Sequence, residues 1–364
     1  MGEKIFDGIN RACTIIIGQK AKPSKKHAIQ CFRLNKSLRN EVLNQSLQLS
    51  QAEQMLSHYV VQERFIQNEN YSFDIDLRKS ESNIITRIEK SSQPLSLFVS
   101  NTRGIELSKK GVVCECDTCK NWFPLPEKIT KCPHCKSLLP DSNIKSESIV
   151  FDTPQYKTVL FKAGEDLYRF TSDSKRWIDL SKKGINYKNL SLYQGEKILV
   201  RKTGVGITAS LDYENAVTNQ VVYVLKLNSL FSEKITLEFL LAVINSRFIT
   251  YYLMKKYGET EWRTHPYLTQ LTVKNLPIPL LDFTDNSVLE AISDVTTKVK
   301  NAIVNDKKQD ISLKIDAQIE KTVAQLFGLT RKDYDTIFKE LSQAEQLIPI
   351  KRLLTISVED IFDN

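Results

Sequence analysis

Cysteine is scarce in this sequence and unevenly placed. Seven occur in 364 residues; five fall between positions 114 and 135, leaving only Cys13 and Cys31 elsewhere. That usage excludes the disulfide framework of a small secreted domain and fits a reducing compartment. Long apolar runs are missing too. The most hydrophobic stretch, residues 237–254, is broken by Glu238, Asn245, Ser246 and Arg247, which argues against a membrane span. The first residues carry no signal-peptide core, so a cytoplasmic protein is expected. There is no internal repeat and no low-complexity tract. No compact Asp/Glu/Lys set of the kind a nuclease uses is present; Asp152, Glu165 and Asp166 are scattered. His265 has no second histidine or carboxylate at useful spacing.

What is present is first a metal-ligand pattern. Cys116 and Cys119 form one Cys-x2-Cys knuckle, and twelve residues later Cys132 and Cys135 form another. Two such turns facing each other supply four thiolates to a tetrahedral site with no open position for water. The expectation is a structural zinc ribbon with Cys116, Cys119, Cys132 and Cys135 as ligands. Cys114 and His134 are spare donors that could replace one of them. Formal charge is +8. That excess suits a polyanionic partner, though many soluble proteins reach it.

Along the chain, residues 12–17 read as a buried strand, a Lys-rich connection follows at 18–26, and a second strand is expected at 28–34. Two strands alone do not make a stable sheet. A polar helical pattern covers 38–67, and a helix near 80–93 should bury Ile84, Ile85 and Ile88. After the cysteines, strands are expected at 159–162, 168–170, 197–202 and 220–227, separated by glycine turns. Leu237, Leu240, Leu241, Ile244 and Phe248 recur at helical spacing with further apolar residues between them, so this helix should be buried on all sides. Leu276, Pro277, Ile278 and Pro279 must be extended. Beyond them, Val288, Ile292, Val295, Val299 and Ile303 form one helical stripe, and Ile315, Ile319, Val323 and Leu326 a second that stops at Gly328. Thr330 and Asp333 have capping-box spacing.

Arg201, Lys202 and Thr203 end a predicted strand at a turn. Trp262, Arg263, Thr264, His265 and Tyr267 follow the apolar helix. The first group offers hydrogen-bond donors to bases and phosphates, and the second adds aromatic rings; both suit DNA. Taken in order, residues 197–204, then Ile244, Asn245 and Ser246, then residues 262–267, then Leu276 to Pro279, resemble the TaqI-like C-terminal specificity domain. That is the target-recognition region of adenine-specific methyltransferases in type I-like and type IIG restriction–modification systems. The cysteine module, placed after Arg103, Gly104, Ile105 and Glu106, is similar to an insertion many members carry. Leu326 to Thr330 is similar to the family's helical end, and Ile5, Phe6 and Asp7 through Thr14 to Gly18 resemble the last strands of its catalytic domain.

Family enzymes hold the target adenine with an Asn/Asp-Pro-Pro-aromatic motif and bind S-adenosylmethionine through a Gly-rich turn. The sequence has no Pro-Pro pair, and the lone pair Gly204 and Gly206 reads as a turn. The resemblance therefore implies an α+β chain of four parts. Residues 1–95 hold fragmentary methyltransferase-tail strands that dock to a catalytic subunit, and 96–145 are the zinc ribbon. Residues 146–282 form a β-rich target-recognition domain with a buried helix, and 283–364 a C-terminal helical segment. The partners implied are double-stranded DNA and a catalytic adenine methyltransferase subunit, which binds S-adenosylmethionine in place of this chain; no membrane is involved. No catalysis is expected from the chain alone. A regulatory DNA-binding or protein-interaction protein and a metal-dependent nuclease component are the alternatives.

Overall fold

A computed structural model describes residues 14–34, 36–68, 71, 73–75, 77, 79–108, 111–125, 131–139, 144–257, 267–305 and 311–363. The chain divides into two compact units, Met1–Lys90 with Tyr251–Thr264, and Ser91–Thr250 with His265–Asn364. Helices and strands are mixed, as the α+β expectation required.

In the first unit, β1 (Ala28–Cys31) is followed by α1 (Lys36–Leu43), α2 (Leu49–Leu56), β2 (His58–Val61), α3 (Gln62–Gln67) and α4 (Lys79–Lys90). β1 and β2 pair antiparallel, from Ala28 opposite Val61 to Cys31 opposite His58. This corrects two expectations. The helical pattern over 38–67 is broken by β2, because the β-branched pair Val60 and Val61 supplies β1 with its partner strand. Within the expected strand at 12–17, residues 14–17 are not in a strand, and Ile17 is 94% exposed. Apolarity alone does not make a strand where no second backbone takes up its N–H and C=O groups. The core here is small: Cys31, Val60 and Phe65, with Ile29 and Ile75 against them. Ile84, Ile85 and Ile88 of α4 are buried as expected.

The second unit opens with β3 (Ser92–Pro94) and β4 (Val99–Arg103), then β5 (Val112–Glu115), β6 (Trp122–Pro124), β7 (Ser146–Ser148) and β8 (Val150–Phe151). β9 (Thr158–Lys162), β10 (Arg176–Asp179), β11 (Lys197–Arg201), β12 (Ala209–Asp212), β13 (Val217–Thr218) and β14 (Val222–Leu227) follow. They build sheets ordered β6-β5-β7, β13-β9-β10-β8 and β12-β11-β14-β4. Between the last two lies a core that includes Phe161, Ile178, Leu199, Val217, Val222 and Val224. The expected strand at 168–170 is absent: Phe170 makes only an isolated bridge to Ser210, at φ +76°, a turn that prevents a continuous ladder. Trp177, next to the core residue Ile178 on β10, is half-buried.

The apolar helix is α5 (Leu237–Ile244), all eight of whose residues are buried, continued by α6 (Arg247–Tyr257) after a 54° bend. No single helix among the described residues is long and apolar enough to cross a membrane; α5 and α6 reach that length and apolarity only as a bent pair. The break falls at Asn245 and Ser246. Asn245 turns its amide to β12, where Oδ1 accepts from Ala209 N–H at 3.1 Å and Nδ2 donates to Ala209 O at 2.9 Å. The side chain thus completes a buried strand edge. After α7 (Gln270–Lys274), β15 (Pro277–Pro279) pairs with β3, a two-stranded edge where the missing proline N–H groups cost little.

The chain closes with α8 (Asn286–Asn305), α9 (Leu313–Leu326), α10 (Arg331–Ser342), α11 (Ile348–Leu353) and α12 (Val358–Phe362). Gly328 follows α9 at φ +63°, and Thr330 and Asp333 form the capping box of α10. One face of α9 carries more than its apolar stripe. Asp316 and Glu320 are buried there with Arg247, whose guanidinium lies 2.7 Å from Asp316 and 3.1 Å from Glu320 and donates through Nε to Leu353 O. Arg169 reaches Asp316 at 2.7 Å, and the Tyr334 hydroxyl donates to Glu320 at 2.7 Å. Two arginines and two carboxylates therefore lock the terminal helices to the strand-rich part of this unit.

Candidate metal centre and nucleic-acid interface

The two cysteine knuckles are near-copies in backbone geometry. The N–H of Lys120 donates to Cys116 O at 2.8 Å, and that of Lys136 to Cys132 O at 3.0 Å. Both lysines take positive φ, +57° and +64°. The N–H of Cys116 donates to Asn121 O, and that of Cys132 to Ser137 O. Each turn thereby aims two sulfurs at the other. Sγ of Cys116 and Cys135 lie 3.7 Å apart, as do Sγ of Cys119 and Cys132, and all four atoms are within 4.8 Å of one another. A tetrahedral ion with metal–sulfur bonds of about 2.3 Å separates its sulfurs by about 3.8 Å, so the four thiols fit a zinc-sized cation.

The electrostatics are divided, since burial pushes the Cys132 thiol up to about 11. Hydrogen bonding from Ser137, 3.0 Å from Cys135 Sγ and 3.5 Å from Cys116 Sγ, brings the Cys116 thiol down to about 6 and lowers that of Cys135. Neither spare donor joins the group. Cys114 is buried on β5 opposite Phe123, and burial raises its thiol; the His134 ring packs towards Phe123. Among the described residues no other cluster of His, Cys, Asp and Glu has metal-binding geometry. Glu165 and Asp166, weighed as nuclease carboxylates, both bind Arg176, at 3.0 and 2.5 Å.

Arg201 closes β11, and Lys202 and Thr203 follow it into the turn. Successive strand residues point to opposite faces. Arg201 stands opposite Val222 and packs along Gly164, and its Nε is buried with no partner among the described residues. Lys202 lies towards the other face, its ammonium 5.4 Å from the centre of the Tyr267 ring. Thr203 bridges to Tyr267, and Leu268 N–H donates to Lys202 O at 2.8 Å. Tyr267 itself is 54% exposed. The structure thus joins Lys202, Thr203 and Tyr267 and directs Arg201 elsewhere. Trp262, Arg263, Thr264 and His265 lie outside the described residues. Gly204 and Gly206 both take positive φ, and a Cβ on Gly206 would come within 2.9 Å of Thr250, so the pair forms a turn.

Sequence reasoning passed over two sets of buried charges. One is the Arg247 cluster. The other joins Lys162 and Lys197, which grip the two oxygens of Asp212 at 2.7 and 2.5 Å. Burial would raise the Asp212 carboxyl, but the two ammonium groups outweigh it and hold it low. Lys162 closes the apolar run Val159–Phe161 and Lys197 opens Ile198–Val200, the one sign in the sequence that their charges are internal.

The comparisons bear on this region. Residues 159–278 match the family model of the TaqI-like C-terminal specificity domain. No curated protein matches the chain. Among solved structures, the chain is similar to the HsdS subunit from Thermoanaerobacter tengcongensis at 10% identity, over 68% of this chain and 50% of that one, with a TM-score of 0.28. The chain spans about half the length of that structure, and a likeness so low carries no argument. The recognition suggested by the order of the motifs is therefore matched, from β9 to β15, by the TaqI-like C-terminal specificity domain.

Proposed function

We propose that this chain is the DNA-sequence-recognition subunit of a split adenine-specific DNA methyltransferase or restriction–modification system acting in the cytoplasm. The observation that carries the reading is the specificity-domain match over residues 159–278, which contains the strand end with Lys202 and Thr203 and the contacting Tyr267. The chain carries no Pro-Pro-aromatic motif with which to hold an adenine. In this reading residues 146–282 bind duplex DNA, with Arg201 and Arg263 suited to bidentate contact with guanine and Lys202 to phosphate. Residues 96–145 hold one structural zinc through Cys116, Cys119, Cys132 and Cys135, and residues 283–364 brace the recognition domain. Residues 1–95 dock to the catalytic subunit; exposure of Tyr59, Val61, Ile66, Tyr71 and Phe73 in the first unit supports such a surface. The partner binds S-adenosylmethionine, takes the adenine out of the stack and methylates its amine.

The test is a methyl-transfer assay with duplex DNA and S-adenosylmethionine. The chain alone is expected to transfer nothing and to confer sequence preference when its catalytic partner is added. Arg201→Ala or Arg263→Ala should remove about 1–3 kcal/mol of that preference. Transfer by the isolated chain would refute the proposal.

A further inference from the structure

Arg103, Gly104, Ile105 and Glu106 lie outside the matched region, yet their backbone is closely fixed. Gly104 N–H donates to Val222 O at 3.1 Å and Ile105 N–H to Thr218 O at 2.8 Å. A Cβ on Gly104 would sit 2.4 Å from Thr218 O and 2.3 Å from Asn219 O, so only glycine lets β4 leave its sheet here. Arg103 and Glu106 are therefore presented at set positions on either side of that crossing.

Arg103 ends β4 directly opposite Tyr223 of β14, and Val200 of β11 is opposite Tyr223 from the other side. Residues paired across antiparallel strands share a face, and Lys202, two beyond Val200, continues it. The Tyr223 hydroxyl donates to Leu268 O at 2.8 Å, beside Tyr267. Burial raises that hydroxyl most, and the nearby Arg103 guanidinium lowers it. Asn101, two before Arg103 on the same face, exchanges hydrogen bonds with Gln270. One face of the sheet, at the end where β4 and β11 finish, thus gathers a guanidinium, an ammonium and an exposed phenol ring. The Arg103 guanidinium donates to the Glu106 carboxylate, with the two side chains 39% and 65% exposed. A pair so open to water is weak, whereas the same guanidinium fork binds phosphate strongly.

We propose that Arg103 joins Lys202 and Tyr267 in gripping the phosphodiester backbone of duplex DNA, and that Glu106 occupies the Arg103 guanidinium in the free protein until a phosphate displaces it. This rests on the reading of the chain as a DNA-recognition subunit.

The experiment is fluorescence anisotropy of a labelled mixed-sequence duplex with the full chain across a salt series. Arg103→Ala should weaken binding roughly tenfold for every sequence and flatten the slope of log affinity against log salt by about 0.9. Glu106→Gln should tighten binding roughly threefold, as expected when a weak exposed pair is removed. In the Arg103→Ala background the Glu106→Gln gain should vanish, and Arg103→Lys should restore most of the salt slope. Unchanged affinity of Arg103→Ala, or a Glu106→Gln gain that persists without Arg103, overturns the inference while leaving the recognition reading intact. A wild-type chain that binds no duplex overturns that reading itself, and the inference with it.

Discussion

The cysteine module and the Arg247 cluster both gather ionisable side chains, but in opposite settings. The module has a small core, Cys114, Cys116, Phe123, Cys132 and Leu139, too little apolar area to order two turns unaided. Its ligands come from two short turns, and the cation they fit would supply the missing cohesion. The Arg247 cluster lies in a well-packed interior and draws its members from the α5–α6 break, from α9 and α10, and from the loop carrying Arg169. There, hydrophobic burial supplies the cohesion and the ion pairs fix which helix face is in register. Buried pairs contribute little net stability over an apolar filling, but leaving one partner alone is costly. A bound cation would close the fold in the first region, whereas ion pairs select it in the second.

The contrast is sharpest on removing one member from each region. The wild type is expected to carry one zinc ion per chain by elemental analysis, and Cys132→Ser to carry none. The substitution should also erase amide protection over residues 111–125 and 131–139 in hydrogen exchange, since structural zinc is worth about 10–16 kcal/mol in such turns. Protection in α9 and α10 should survive. Glu320→Ala should do the reverse. It strips Arg247 and Tyr334 of an acceptor and should lower global stability by about 3–5 kcal/mol in denaturant titration, with the zinc retained.

The smallest effect comes from acid. Burial alone would raise the Asp316 carboxyl, but Arg169 and Arg247 outweigh it and hold it at about 2. Its stabilising share is thus present above the ordinary carboxylate value of about 3.9 and lost as pH falls towards 2. Below pH 4 the wild type should lose about 2–3 kcal/mol more than Asp316→Asn, as read from thermal melts. Equal losses would show that the guanidiniums do not hold that carboxyl.

These two regions also mark how far the sequence could be read. The four-cysteine cluster was legible because a knuckle is local: spacing within 20 residues fixes where the sulfurs go. The buried helix, the Gly328 stop and the Thr330 capping box were legible for the same reason. Arg247 was seen only as an interruption in an apolar run. Its partners Asp316 and Glu320 lie 69 and 73 residues away, on a helix whose stripe was read for apolar residues alone. β2 was hidden inside a helical pattern because strand pairing with β1 outweighed local preference. Arg201 and Lys202 are adjacent in sequence, but strand alternation sends their side chains to opposite faces, which a reading by position alone does not show.

The central claim is that this chain recognises a DNA sequence. Its most direct test is selection of duplexes from a randomised library by the zinc-loaded chain together with its catalytic partner, followed by sequencing of the bound fraction. The expected result is enrichment of one asymmetric sequence that contains an adenine and is lost when Arg201 and Arg263 are replaced together. Recovery of the library unchanged, or an enrichment the partner produces without this chain, would contradict it.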